Sequence, residues 1–135
     1  NSEHAGFTNG KPWLPVNDNY VDINVEEENT DPSSVLNHFR RMTELRKENP
    51  VLVYGAYELV APEHPTIYAY TRNLDDKKVL VLLNFSKESS QIKLKEEWVD
   101  PSMLINNYSD LDFIDDSIKL KPYQAVILYM VQQSH

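Results

Sequence analysis

The stretch Asp31–Gly55, DPSSVLNHFRRMTELRKENPVLVYG, decides how the rest of this chain is read. Asp31 can cap a helix by accepting from first-turn N–H groups, and Pro32 fits the first helical position, where no donor is needed. Apolar residues recur at Val35, Leu36, Phe39, Met42 and Leu45, three and four apart, which makes one stripe along an α-helix. Arg40, Arg41, Arg46 and Lys47 gather late, where the negative end of the helix dipole favours cations. Asn49-Pro50 ends the helix, because a residue before proline is pushed out of the α region. The expected helix therefore runs over Asp31–Asn49. VLVY (51–54), rich in β-branched residues and closed by Gly55, predicts the entry into β-structure.

Outward from the helix toward the N-terminus, residues 1–30 show neither a helical nor a strand period. They are rich in Asn, Gly, Pro and acids but carry Phe7, Trp13 and Tyr20, which disordered segments lack. An irregular loop that packs on something is expected, with Glu26–Glu28 a solvated run near the positive end of the coming helix.

Toward the C-terminus, strands alternate with turn signals. AYELVA (56–61), TIYAYTRN (66–73), QIKLK (91–95), MLINNY (103–108), SIKL (117–120) and QAVILYM (124–130) read as strands, with Ile92 and Leu94 facing in. VLVLLNF (79–85) is almost continuously apolar and is expected to be the central strand, buried on both faces. Leu80, Val81, Leu82 and Ile127 should be among the most buried side chains. The regular spacing points to an antiparallel sandwich.

At 135 residues the chain can bury a real core, and its 41% hydrophobic and 25% charged content are ordinary for a globular protein. A net charge of −8 argues against a nucleic-acid partner, and no apolar run approaches a membrane span. The absence of cysteine fits a reducing, cytoplasmic location. The N-terminus has neither an initiator Met nor the form of a signal peptide, so the chain reads as the continuation of something longer.

Candidate chemistry is thin. Asp110, Asp112, Asp115 and Asp116 in SDLDFIDD lack the sixth-position Gly and the bidentate Glu of a calcium hand, and an acidic turn is expected instead. His4, His38, His64 and His135 show no ligand spacing, and no metal or other cofactor is expected. Ser33, Ser34 and Ser86 lack a nucleophile-elbow context. Arg40-Arg41 and Arg46-Lys47 are read as partners of carboxylates elsewhere or as ligands of the helix dipole. Phe7 and Trp13 could border a sugar site, although loop packing suits them better. Tyr57, Tyr68 and Tyr70 are placed inside strands among apolar neighbours.

AGFTNGKPWLPVNDNYVDINV, the Asp31–Gly55 stretch with its continuation AYELV, YAYTRN, VLVLLNFS and LKPYQAVIL together resemble the C-terminal end of the α-glucosidases of glycoside hydrolase family 13, the oligo-1,6-glucosidases above all. The resemblance implies the fold class: mostly β, a C-terminal antiparallel β-sandwich preceded by the last loop and α-helix of a (β/α)8 barrel. It assigns residues 1–50 to the end of the barrel and 51–135 to the sandwich. It further implies a parent enzyme that hydrolyses terminal α-1,6 or α-1,4 glucosidic bonds of short oligosaccharides with retention. Retention needs two carboxyl groups about 5–5.5 Å apart, and in barrels of this kind they lie on earlier strands. No catalytic, substrate-binding or metal residue is therefore assigned here. The expected partners are the oligosaccharide substrate of the parent enzyme and its upstream catalytic barrel. Two other readings are a stand-alone carbohydrate-binding β-module, which predicts exposed aromatics on the sandwich, and a non-catalytic interaction subunit.

Overall fold

The computed structural model describes residues 2–94, 98 and 100–132, so Lys95 of the expected QIKLK strand and His135 lie outside the described residues. The chain divides into two compact units, Asn1–Glu44 and Leu45–His135.

The first unit is less irregular than its sequence suggests. Two 3-10 turns, Glu3–Gly6 and Asp18–Val21, precede a short helix α1 over Val25–Thr30. Asn24 caps α1 by accepting the Glu27 N–H at 3.0 Å. The Glu26–Glu28 run thus lies inside the first turn of a helix of its own, where the dipole favours carboxylates, and does not simply precede the next helix.

The long helix α2 spans Val35–Glu48, starting later than Asp31-Pro32 predicted. The Asp31 carboxylate is engaged in a local turn, where Oδ1 accepts the Ser33 N–H at 2.8 Å and the Ser33 hydroxyl at 2.7 Å. Those two bonds occupy Oδ1 at Ser33, and among the described residues the Asp31 side chain makes no bond to an α2 N–H. Ser34 takes over the cap, its hydroxyl oxygen accepting the Asn37 N–H at 3.2 Å. Among residues 2–44 only Ser34 is buried. The predicted stripe is present but open: Val35 is 80% exposed, Phe39 67% and Met42 39%.

In the second unit VLVY is a single helical turn, α3 (Val51–Tyr54), where a strand was expected. Pro50 sits in the α region at φ −53°, and its carbonyl accepts the N–H groups of Val53 at 3.0 Å and Tyr54 at 2.8 Å. Val51 is fully buried with Val79, Val81 and Ile127, so tertiary packing overrides the strand preference of the two valines. Gly55 follows because nothing larger fits. A Cβ there would meet the Val51 carbonyl oxygen at 2.5 Å and the Arg72 Cβ at 3.0 Å.

Eight strands follow: β1 (Ala56–Val60), β2 (Ile67–Leu74), β3 (Lys77–Asn84), β4 (Ser90–Lys93), β5 (Ser102–Asn106), β6 (Asp112–Ile114), β7 (Ser117–Leu120) and β8 (Ala125–Val131). They form a five-stranded sheet, β1-β2-β3-β8-β5, and a three-stranded sheet, β4-β7-β6, antiparallel throughout. The β6 strand was missed because its three residues stood in what read as one acidic turn. The turn itself is narrower and carries Asp115 at φ 52°. β3 is central, and alternation sends its residues to two cores. Leu80 and Leu82 join Ile67, Ala69, Val126 and Leu128 of the same sheet with Ile92, Ile118 and Leu120 of the other, which is the core of a β-sandwich. Val79 and Val81 face the opposite way, toward Val51 and Ile127.

Candidate functional site

The singled-out acids are structural. Lys121 Nζ donates to both Asp110 oxygens, at 2.6 and 2.7 Å, and Asp116 pairs with Lys93. Asp112 is on β6, and no group of three or more His, Cys, Asp or Glu that could hold a metal occurs among the described residues. The Lys121 ammonium holds the Asp110 carboxyl below the ordinary carboxylate range, Lys93 does the same for Asp116, and the Ser33 hydroxyl for Asp31. A group that protonates a departing sugar needs the opposite shift. None of these three is built as an acid catalyst.

The histidines are dispersed. His4 lies at φ 55° in the first 3-10 turn, His38 is in α2, and His64 is a turn-builder. His64 Nδ1 accepts from the backbone N–H groups of Thr66 at 3.3 Å and Ile67 at 2.9 Å, leaving Nε2 to donate to the Gln91 carbonyl at 3.0 Å. The serines are structural: the Ser33 hydroxyl donates to the Asp31 carboxylate, Ser34 caps α2, and Ser86 accepts the Glu88 N–H at 3.0 Å. Among the described residues Arg40 and Arg41 meet amide and carbonyl oxygens. Arg40 donates to the side-chain carbonyls of Asn29 and Asn37, and Arg41 to the Pro32 carbonyl at 2.8 Å. Arg46 and Lys47 occupy the last turn of α2, as the dipole favours.

Two features are left that could meet a ligand or partner. Within the first unit, Phe7, Trp13, Leu14, Tyr20 and Ile23 line an open, largely apolar concavity of 980 Å³. Trp13 stands 90% exposed, so the loop packing expected for it is not made within this chain. On the outer face of the five-stranded sheet, Tyr57, Tyr68 and Tyr70 form a group. Tyr57 and Tyr68 are 50% and 43% exposed, their hydroxyls lie 2.8 Å apart, and both rings tilt against Tyr70 at centroid distances of 5.3 and 5.7 Å. The bond from Tyr68 raises the Tyr57 hydroxyl above its ordinary value. The expectation that these tyrosines sit among apolar neighbours is corrected for Tyr57 and Tyr68. Strand alternation carried the signal, since Ile67, Ala69 and Thr71 point inward and so turn Tyr68 and Tyr70 outward.

Comparison with known proteins bears on both units. Residues 1–55 match the family model described as alpha amylase, catalytic domain, and residues 67–127 match the alpha-amylase SusG C-terminal domain. The chain belongs to the α-amylase family. It is 40% identical over 128 residues to the oligo-1,6-glucosidase of Parageobacillus thermoglucosidasius, covering 92% of this chain and 23% of that protein. The crystal structure of Bacillus licheniformis trehalose-6-phosphate hydrolase superposes with a TM-score of 0.88 at 38% identity, over 97% of this chain and 24% of that one. The trehalulose synthase MutB from Pseudomonas mesoacidophila gives 0.83 at 37% identity, over 95% and 23%. This α-amylase-family chain therefore spans about a quarter of the length of such relatives. No helix among the described residues is long and apolar enough to cross a membrane.

Proposed function

We propose that this chain is the end of a retaining α-glucosidase that hydrolyses terminal α-1,6 or α-1,4 glucosidic bonds of short oligosaccharides. In this reading residues 1–50 close the catalytic barrel, with the loop after its eighth strand and its eighth helix, and residues 51–135 form the sandwich that buttresses it. One observation carries the reading. Residues 1–55 match a catalytic-domain model, yet among residues 2–44 only Ser34 is buried while Phe7, Trp13, Val35 and Phe39 stand exposed. A segment that presents that much apolar surface is shaped to be covered by the rest of a domain. The carboxylate nucleophile and the acid/base carboxyl come from the remainder of the enzyme, so no side chain of this chain takes part in bond cleavage. The cysteine-free composition supports a cytoplasmic enzyme.

The test assays the full-length enzyme and the 135-residue chain side by side against isomaltose, maltose and an aryl α-glucoside. Turnover by the full-length enzyme and none by the chain alone is the expected result. Hydrolysis by the repurified chain would overturn it.

The exposed Tyr57 and Tyr68 favour a second reading, a carbohydrate-binding face on the sandwich, since tyrosine rings present flat apolar faces with a polar edge. Titration of the chain with isomaltose by calorimetry separates the two. Binding lost in Tyr57→Ala and Tyr68→Ala would support the module, and no heat would leave the face as enzyme interior.

A further inference from the structure

We propose that Asn9 is a site of spontaneous deamidation, an ageing lesion placed on the lip of the apolar concavity. Loss of ammonia from asparagine begins when the next residue's backbone nitrogen attacks the side-chain carbonyl carbon. The reaction therefore needs an unhindered successor and a side chain that is not held elsewhere. Gly10 supplies the first, because it has no Cβ to crowd the attack, and a Cβ built there would find open space beyond one Thr8 oxygen at 3.8 Å. Asn9 supplies the second: it is exposed, and its amide makes no hydrogen bond among the described residues.

The other asparagines contrast with it. The side chains of Asn24, Asn29, Asn37, Asn49, Asn84, Asn106 and Asn107 are each held by hydrogen bonds, and Asn84 is also buried. Asn1, Asn17, Asn19 and Asn73 precede Ser2, Asp18, Tyr20 and Leu74, whose side chains hinder the attack. Among the described residues the Gly10 N–H is held only by an exposed bond to the Thr8 hydroxyl, at 3.1 Å, which water can replace.

The step balances without any co-reactant except water. The Gly10 nitrogen loses its proton and bonds to Asn9 Cγ, the Cγ–Nδ2 bond breaks, and the amide nitrogen departs as ammonia. The resulting succinimide takes up one water, which opens it at either carbonyl to give aspartate or isoaspartate. Each product adds a negative charge between Thr8 and Lys11, both of which line the concavity. The isoaspartate also diverts the main chain through a side-chain carbon, displacing Phe7 relative to Trp13.

The experiment incubates the folded chain at mildly alkaline pH and follows each asparagine by peptide mass spectrometry, with enzymatic isoaspartate methylation as a second readout. Asn9 should convert severalfold faster than any other asparagine, and Gly10→Ala should slow it severalfold. Repeating the incubation in urea should narrow the gap between Asn9 and the hydrogen-bonded asparagines, because unfolding releases their side chains. Another asparagine converting first in the folded chain would overturn the proposal, as would a rate at Asn9 unchanged by Gly10→Ala.

Discussion

The carboxylate Oε2 of Glu28 accepts the backbone N–H of Leu36 at 3.1 Å, so an acid in α1 caps α2. The Ser34 hydroxyl ties the same junction by donating to the Glu28 carbonyl at 2.6 Å, and Asn37 Nδ2 donates to the carbonyls of Glu28 at 2.9 Å and Asp31 at 2.8 Å. Free donors at the start of a helix are thereby satisfied from a neighbouring helix and turn. Ser34→Ala should loosen the start of α2 at a cost of about 0.5–2 kcal/mol, the range for losing a hydroxyl cap. Hydrogen exchange at residues 35–38 reads this directly. Unchanged protection there would mean that Glu28 suffices.

Gly55 should be intolerant of any side chain, because the obstacle is backbone. Gly55→Ala forces the new Cβ against the Val51 carbonyl oxygen, and overpacking of this kind costs about 1–3 kcal/mol. A urea melt of the variant checks it, and a midpoint equal to wild type would show that α3 moves freely.

Leu82 is fully buried in the sandwich core and paired in register with Val126 on one side and Ala69 on the other. Leu82→Ala should lose about 2–5 kcal/mol, as large-to-small core substitutions do. Equilibrium unfolding measures the difference, and a loss under about half a kilocalorie per mole, the scale of surface changes, would remove β3 from the centre of the fold.

The Asp110–Lys121 pair should make stability depend on pH at both extremes. Lys121 lowers the Asp110 carboxyl below its unfolded value, so the contribution is complete above the ordinary carboxylate range of roughly pH 4 and is lost as pH falls through the folded value. Asp110 in turn raises Lys121, whose contribution holds through the ordinary lysine range of roughly pH 10 and is lost above it. The difference in unfolding midpoint between wild type and Lys121→Ala should be largest near neutrality and shrink toward both ends. Because both groups are solvent-accessible, added salt should also reduce it. A difference independent of pH would assign the loss to the contact of Lys121 with the Tyr108 ring.

Residues 2–30 hold no buried side chain, and among the described residues the hydrogen bonds of residues 2–23 reach no more than four residues along the chain. Their amides should exchange quickly in the isolated chain and slowly in the full-length enzyme. Strong protection from Phe7 to Tyr20 in the chain alone would show a self-sufficient unit and favour the binding-module reading.

Hydrophobic period and turn residues alone determined that a long amphipathic helix precedes an antiparallel sandwich with VLVLLNF at its centre. Those signals are local, and each repeats over enough residues to outweigh noise. The motifs AGFT, PW and DPSS…LR carried the family for the same reason, being contiguous in sequence. Tertiary structure alone decided the rest. Asp31 had the chemistry of a cap, but Ser33 lay close enough to take its carboxylate, leaving the cap to Ser34 and Glu28. VLVY had the composition of a strand, but a fully buried place for Val51 beside Val79 and Ile127 made it a helical turn. Alternation along β2 could turn Tyr68 outward, but only the pairing of β1 with β2 set Tyr57 beside it on the same face with their hydroxyls in contact. Asp31 was diverted by a neighbour only two residues away, but for Val51 the outcome turns on residues distant in sequence, and burial free energy, which depends on those neighbours, exceeds what local preference supplies, about 1 kcal/mol or less per residue.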